Sequence, residues 1–161
     1  MNQNIFFKTL TKHRPFAYAQ ISGDTAHPNL KGIIKFYSTP FGLLIQAEIY
    51  GLPVREDDCN GKFFGFHIHE KGECSGDIAD PFKNAGGHYN PDDCEHPQHA
   101  GDLPPLFSSN GYAWTAFLTR QLMPETIIGR AVIIHSGPDD FTTQPAGNSG
   151  QKIACGKIIK N

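Results

Sequence analysis

The chain has 161 residues and a formal net charge of −2, enough for one domain with a sizeable core and without the basic footprint of a nucleic-acid binder. Charged residues make up 19% and hydrophobic ones 39%, an ordinary soluble composition. No apolar run approaches the ~20 residues of a membrane span, so no membrane partner is expected.

Residues 1–16 read as an N-terminal arm ahead of a single domain over 17–161. The opening Met1-Asn-Gln-Asn-Ile-Phe-Phe-Lys has no uninterrupted apolar core and no small-residue cleavage site, so it does not read as a secretory signal. A cytoplasmic location is expected on that ground, with export the alternative if a leader precedes this sequence. Ala17 to Ile21 is a short first strand. Gly32 to Tyr37 and Leu43 to Tyr50 are clearer, joined as a hairpin across Thr39-Pro40-Phe41-Gly42. In the latter, Leu43, Ile45, Ala47 and Ile49 share one face while Gln46 and Glu48 point away, the alternation of a half-buried antiparallel strand.

A polar loop holding Cys59 leads to Phe66-His67-Ile68-His69-Glu70. Two histidines at i and i+2 on an extended strand lie on one face, and neutral imidazole is the commonest metal-ligating side chain near neutral pH. Residues 71–105 carry little periodicity but are dense in Gly, Pro, Asp and His. A loop this long in a compact domain is usually functional or disordered, and metal ligands would keep it ordered. It holds His88 in Gly-Gly-His-Tyr-Asn-Pro, then His96, His99 and Asp102 in His-Pro-Gln-His-Ala-Gly-Asp. Strands resume at Gly111 to Leu118 and at Ile127 to His135. A second irregular stretch, Ser136 to Gln151, precedes the closing strand, Lys152 to Ile159.

Six of the eight histidines fall between residues 67 and 135. With Asp102 they exceed the four ligands of one tetrahedral zinc, so two adjacent ions fit the count better. No segment has sustained helical periodicity. The expected fold is an all-β sandwich or flattened barrel of about eight antiparallel strands with two long functional loops.

The ordered motifs Phe-His-Ile-His-Glu, Gly-Gly-His-Tyr-Asn-Pro, His-Ala-Gly-Asp-Leu-Pro, Ile-Gly-Arg-Ala-Val-Ile-Ile-His, Gly-Pro-Asp-Asp and Gly-Asn-Ser-Gly-Gln-Lys-Ile-Ala-Cys-Gly resemble the copper/zinc superoxide dismutase family, whose barrel is a Greek key. The resemblance implies that His67, His69, His88 and His135 bind copper. It implies that His88, His96, His99 and Asp102 bind zinc, with His88 shared between the metals. Asp139 resembles the carboxylate that joins His67 to His96, and Cys74 and Cys155 resemble the family's disulfide pair. The implied reaction is dismutation of superoxide to dioxygen and hydrogen peroxide, with catalytic roles for His88 and Lys152. Where the family carries an arginine near copper, this chain has Lys152. Lysine keeps the charge but loses the planar two-pronged donor, so steering should survive with looser docking.

Three other points are left open by the residues. Cys59 and Cys94 have no counterpart in the family pattern and are expected to be free thiols. Monomer and homodimer are both compatible with the sequence. A copper/zinc-binding relative with little turnover is the rival reading. A third reading, Gly61-x5-His67-x-His69-x3-Glu73 as a cupin half-motif, lacks the second motif that fold needs.

Overall fold

The structure, a computed structural model, describes residues 10, 13–54 and 62–161. Most of the expected N-terminal arm and Cys59 lie outside the described residues.

Three strands, β1 (Ala17–Gly23), β2 (Lys31–Thr39) and β3 (Gly42–Tyr50), form an antiparallel meander. The expected alternation in β3 holds: Leu43, Ile45, Ala47 and Ile49 are buried, while Gln46 and Glu48 are half-buried. The chain then supplies β4 (Lys62–Phe64), β5 (Phe66–His69), β6 (Leu106–Ser108), β7 (Tyr112–Thr119), β8 (Ala131–His135) and β9 (Lys152–Lys160). The main sheet runs β5-β8-β9-β1-β2-β3-β7, and β4 pairs with β6 in a second, two-stranded sheet. Because β4 runs into β5 through Gly65, and β6 into β7 through a tight turn, the small sheet joins both edges of the large one. The long crossing from β7 to β8 carries the chain from one edge of the large sheet toward the other. The architecture is the expected all-β Greek-key barrel.

Two details differ from the sequence expectation. The strand expected from Ile127 begins only at Ala131, since Pro124–Ile127 forms a 3-10 turn and Gly129 adopts a φ of 81°. Proline starts a turn well but cannot donate to a ladder, and the positive φ at Gly129 breaks an extended path. The short strands β4 and β6 carry only three residues each, too few for alternation to register.

Residues of alternating parity on β5 and β8 place the rest of the molecule. Phe66 and Ile68 of β5, with Val132 and Ile134 of β8, enter the main core beside Ile34, Phe36 and Ile45. Each such side chain contributes about 1.5–3 kcal/mol by leaving water. The opposite parity, Ala131 and Ile133, faces out of the barrel and is buried in a separate cluster with Phe82, Ala85 and Cys155. A disulfide between Cys74 and Cys155 pins the 74–85 segment over this outer face. His67, His69 and His135 share that outward parity, so the loops roof them against the barrel wall.

Candidate metal centre

Strand β5 supplies His67 and His69, and β8 ends in His135, directly across the sheet from the start of β9. The 71–105 loop returns to β5 twice: His69 pairs with His88 and His67 with Asp102 across single backbone bridges. Gly101 permits this return, because a Cβ there would stand 2.3 Å from the Ile68 carbonyl oxygen. Two groups of side chains result, His67/His69/His88/His135 and His88/His96/His99/Asp102, each with its ligand atoms within 4.8 Å of one another. His88 alone belongs to both. All six imidazoles are buried.

Hydrogen bonds set which ring nitrogen faces inward. His69 Nδ1 donates to the Gly86 carbonyl at 2.8 Å, and His135 Nδ1 to the Gly150 carbonyl at 3.2 Å. His67 and His96 donate from Nε2 to the two oxygens of Asp139, at 2.7 and 2.9 Å. One carboxylate thus ties the two groups together. Each of these bonds leaves the other ring nitrogen as an acceptor pointing into its group. Six inward nitrogens, Nδ1 of His67, His96 and His99 and Nε2 of His69, His88 and His135, are buried without a hydrogen-bond partner. The Nδ1 atoms of His96 and His99 lie 3.0 and 3.2 Å from Asp102 Oδ2 but lack hydrogen-bond geometry. Within this group His88 Nδ1 donates to Asp102 Oδ1 at 2.7 Å, while the unpartnered nitrogens of the two groups face the ligand atoms beside them.

Buried polar atoms left unsatisfied are rare because they are costly, and here they converge. The natural resolution is a cation in each group. Four imidazole nitrogens suit copper, and three imidazoles with one carboxylate suit zinc. Copper and zinc fit this donor set.

Electrostatics favour lone pairs over protons. Burial first, then the neighbouring imidazoles, pushes His69 well below its ordinary value. Burial and the nearby His67 push His135 down to about 3. Burial also lowers His67, and its hydrogen bond to Asp139 offsets this only in part. Burial alone would raise Asp139, yet hydrogen bonds from His67, the Phe141 N–H and His96 hold its carboxyl below the usual range. Asp102 is held down in the same way by His88 and the other imidazoles, against its burial.

A cavity of about 690 Å³ opens onto His69, His88 and His135, with Lys152 and Asp80 on its wall. Glu73, the carboxylate of the cupin reading, is exposed and belongs to neither metal group. Cys94 is a free thiol, two residues before His96.

Gln144 and Asp80 escape a motif reading, and Gly147, which opens the Gly-Asn-Ser-Gly motif, has a role that the motif does not show. Gln144 clamps the backbone of His96, accepting from its N–H at 2.9 Å and donating to its carbonyl at 2.7 Å. Gly147 sits at a φ of 64°, where a Cβ would come 2.0 Å from Asp139 Oδ1 and 2.6 Å from His96 Nε2. Asp80 bonds Lys152. Only the glycine leaves a sequence signal, since glycine is the default for positive φ.

The family model described as copper/zinc superoxide dismutase matches residues 30–158. The chain is 36% identical over 142 residues to superoxide dismutase [Cu-Zn] 2 of Aquifex aeolicus, covering 79% of this chain and 78% of the relative. The structure of the Cu/Zn superoxide dismutase from Brucella abortus superposes with a TM-score of 0.73 at 26% identity, covering 87% of this chain and 97% of that one. A SOD-like protein from Bacillus subtilis superposes with a TM-score of 0.69 at 34% identity, over 86% of this chain and 95% of that one.

Proposed function

This chain belongs to the copper/zinc superoxide dismutase family, and on that premise we propose that it converts superoxide to dioxygen and hydrogen peroxide. His67, His69, His88 and His135 hold copper; His88, His96, His99 and Asp102 hold zinc. The observation that carries this reading is the convergence of six partnerless buried ring nitrogens in two groups that share His88. Two superoxide anions and two protons give one dioxygen and one hydrogen peroxide.

When bound, copper supplies one-electron exchange through its two oxidation states, while zinc supplies fixed positive charge without redox change. The side chains do the rest. His88 presents one nitrogen to each group, so it can take up a proton at Nε2 and hand it on to reduced substrate. Asp139 orients His67 and His96 together and fixes their tautomers. Lys152, on the wall of the cavity, places an ammonium on the path of an incoming anion. The loops that bury the imidazoles exclude bulk water from all but that opening.

The Bacillus subtilis SOD-like neighbour supports the second reading, a metal-binding relative with little turnover. The full count of eight ligand places in this chain, His88 serving twice, favours the enzyme. Among the described residues no helix is long and apolar enough to cross a membrane. The Cys74–Cys155 bond, of a kind that persists in oxidising compartments, weighs against the cytoplasmic expectation.

The test is direct superoxide decay by protein carrying one copper and one zinc per chain, beside a metal-free control, at low and high salt. Fast metal-dependent decay that slows with salt is expected. Full metal loading with no decay above buffer would make the chain a binding protein.

A further inference from the structure

Lys152 does not stand open in the cavity. Its ammonium lies 2.6 Å from Asp80 Oδ2, with the lysine side chain 17% and the aspartate side chain 35% exposed. Lys152 is also the sole lysine or arginine among the described residues lining the cavity, whose other charged side chains include Glu70, Asp80 and Asp93. The single fixed cation on the anion's path is therefore already engaged by a carboxylate.

The engagement is built into the fold. Asp80 Oδ1 accepts from the Phe82 N–H at 3.2 Å. The Asp80 carbonyl accepts from the N–H groups of Asp77 and Lys83, each at 3.1 Å. Phe82 packs with Cys155 in the outer cluster, and Cys155 is bonded to Cys74. The segment carrying Asp80 is thus fastened twice to β9, whose first residue is Lys152. A surface ion pair between two mobile side chains would mean little; this one joins two anchored elements.

We propose that Asp80 is a positioning residue that holds the Lys152 ammonium and competes with small monovalent anions for it, so that superoxide and its mimics must displace a carboxylate to reach the cation. The inference rests on the reading of Lys152 as the anion-guiding residue. It adds that Asp80 lowers the affinity of the cavity for anions and flattens the salt dependence of their entry.

The experiment is an azide titration of the copper- and zinc-loaded protein, followed by its visible spectrum. Five proteins are compared: the parent, Asp80→Asn, Asp80→Glu, Lys152→Gln and the Asp80→Asn/Lys152→Gln double variant. Asparagine keeps an acceptor for the Phe82 N–H, and measured metal content checks that the site is loaded. Asp80→Asn should bind azide roughly tenfold more tightly and steepen the salt dependence of superoxide decay. Asp80→Glu, which keeps the charge, should return toward parental affinity, a rescue that a purely structural role would not show. Lys152→Gln should weaken azide binding, and adding Asp80→Asn to it should change little further. Unchanged or weaker azide binding in Asp80→Asn, with Lys152→Gln still weakening it, would overturn the role of Asp80 alone. An Asp80→Asn gain that persists undiminished in the double variant would overturn it too. Parental azide affinity in Lys152→Gln would remove the guiding role of Lys152, and the competition by Asp80 with it.

Discussion

His88 is the residue on which the two halves of the site depend. Its ring stands 4.0 Å from that of His67 and 5.5 Å from that of His99, centroid to centroid, and it is the one side chain in both groups. Replacing it with alanine should weaken copper and zinc binding together, as measured by calorimetric titration of each metal. Zinc affinity left intact in that variant would contradict a shared ligand. Gly147 makes the complementary case from outside the ligand set. A methyl group there meets Asp139 and His96 within 2.6 Å, and its φ of 64° costs a non-glycine residue roughly 1–2 kcal/mol. Gly147→Ala should push the Asp139 carboxylate off its two imidazoles and lower metal affinity about 10–100-fold, the usual result of losing an outer partner. Equal metal affinity in parent and variant would show that Asp139 does not orient the ligands.

At the scale of elements, the 74–85 segment and β9 act as one unit. The disulfide closes a separation of 81 residues, which the chain-entropy model values at about 4 kcal/mol. Cys74→Ser should lower the unfolding free energy of the metal-free protein by that amount, read from the fall in its denaturant midpoint, with the slope m changed only as the unfolded state expands. A loss under about 1 kcal/mol would mean that Phe82 and Ala85 hold the segment unaided, since a few buried side chains of that size contribute comparably. The strand pair β5–β8 shows why the loops matter more than the sheet here. Its inward residues are ordinary core, and its outward histidines are buried only because the 71–105 and 136–151 loops cover them.

For the whole molecule, the buried imidazoles link stability to pH. In the folded, metal-free protein His135 titrates near 3, and His69 also lies well below the ordinary value of 6.5. Between pH 6.5 and about 3, the unfolded chain therefore binds more protons than the fold, so stability rises with pH. It is fully present above 6.5 and is lost on acidification, at up to about 1.4 kcal/mol per pH unit for each such group. Asp139, depressed by its hydrogen bonds, acts in the same direction at lower pH. Thermal melts of metal-free protein should show Tm falling steadily from pH 7 to pH 4. A flat profile would mean that the imidazoles are hydrated in solution. Bound metal should raise Tm and hold the ligands against acid until protons displace it.

Residue order alone sets the class of fold and the cast of the site. Alternation in β3 marks a strand with one wet face, and six histidines with Asp102, spaced among turn residues, announce more than one metal. What it could not carry is direction. Whether His67 uses Nδ1 and His69 and His135 use Nε2 depends on which carboxylate or carbonyl stands behind each ring, and those partners, Asp139, Gly86 and Gly150, come from loops outside the strands. Nor could it show that Lys152 is paired, because Asp80 lies 72 residues away in a segment without periodicity. Local spacing encodes which side chains share a face; only tertiary packing, through the disulfide and the return of the long loops onto the outer barrel wall, decides which atoms meet.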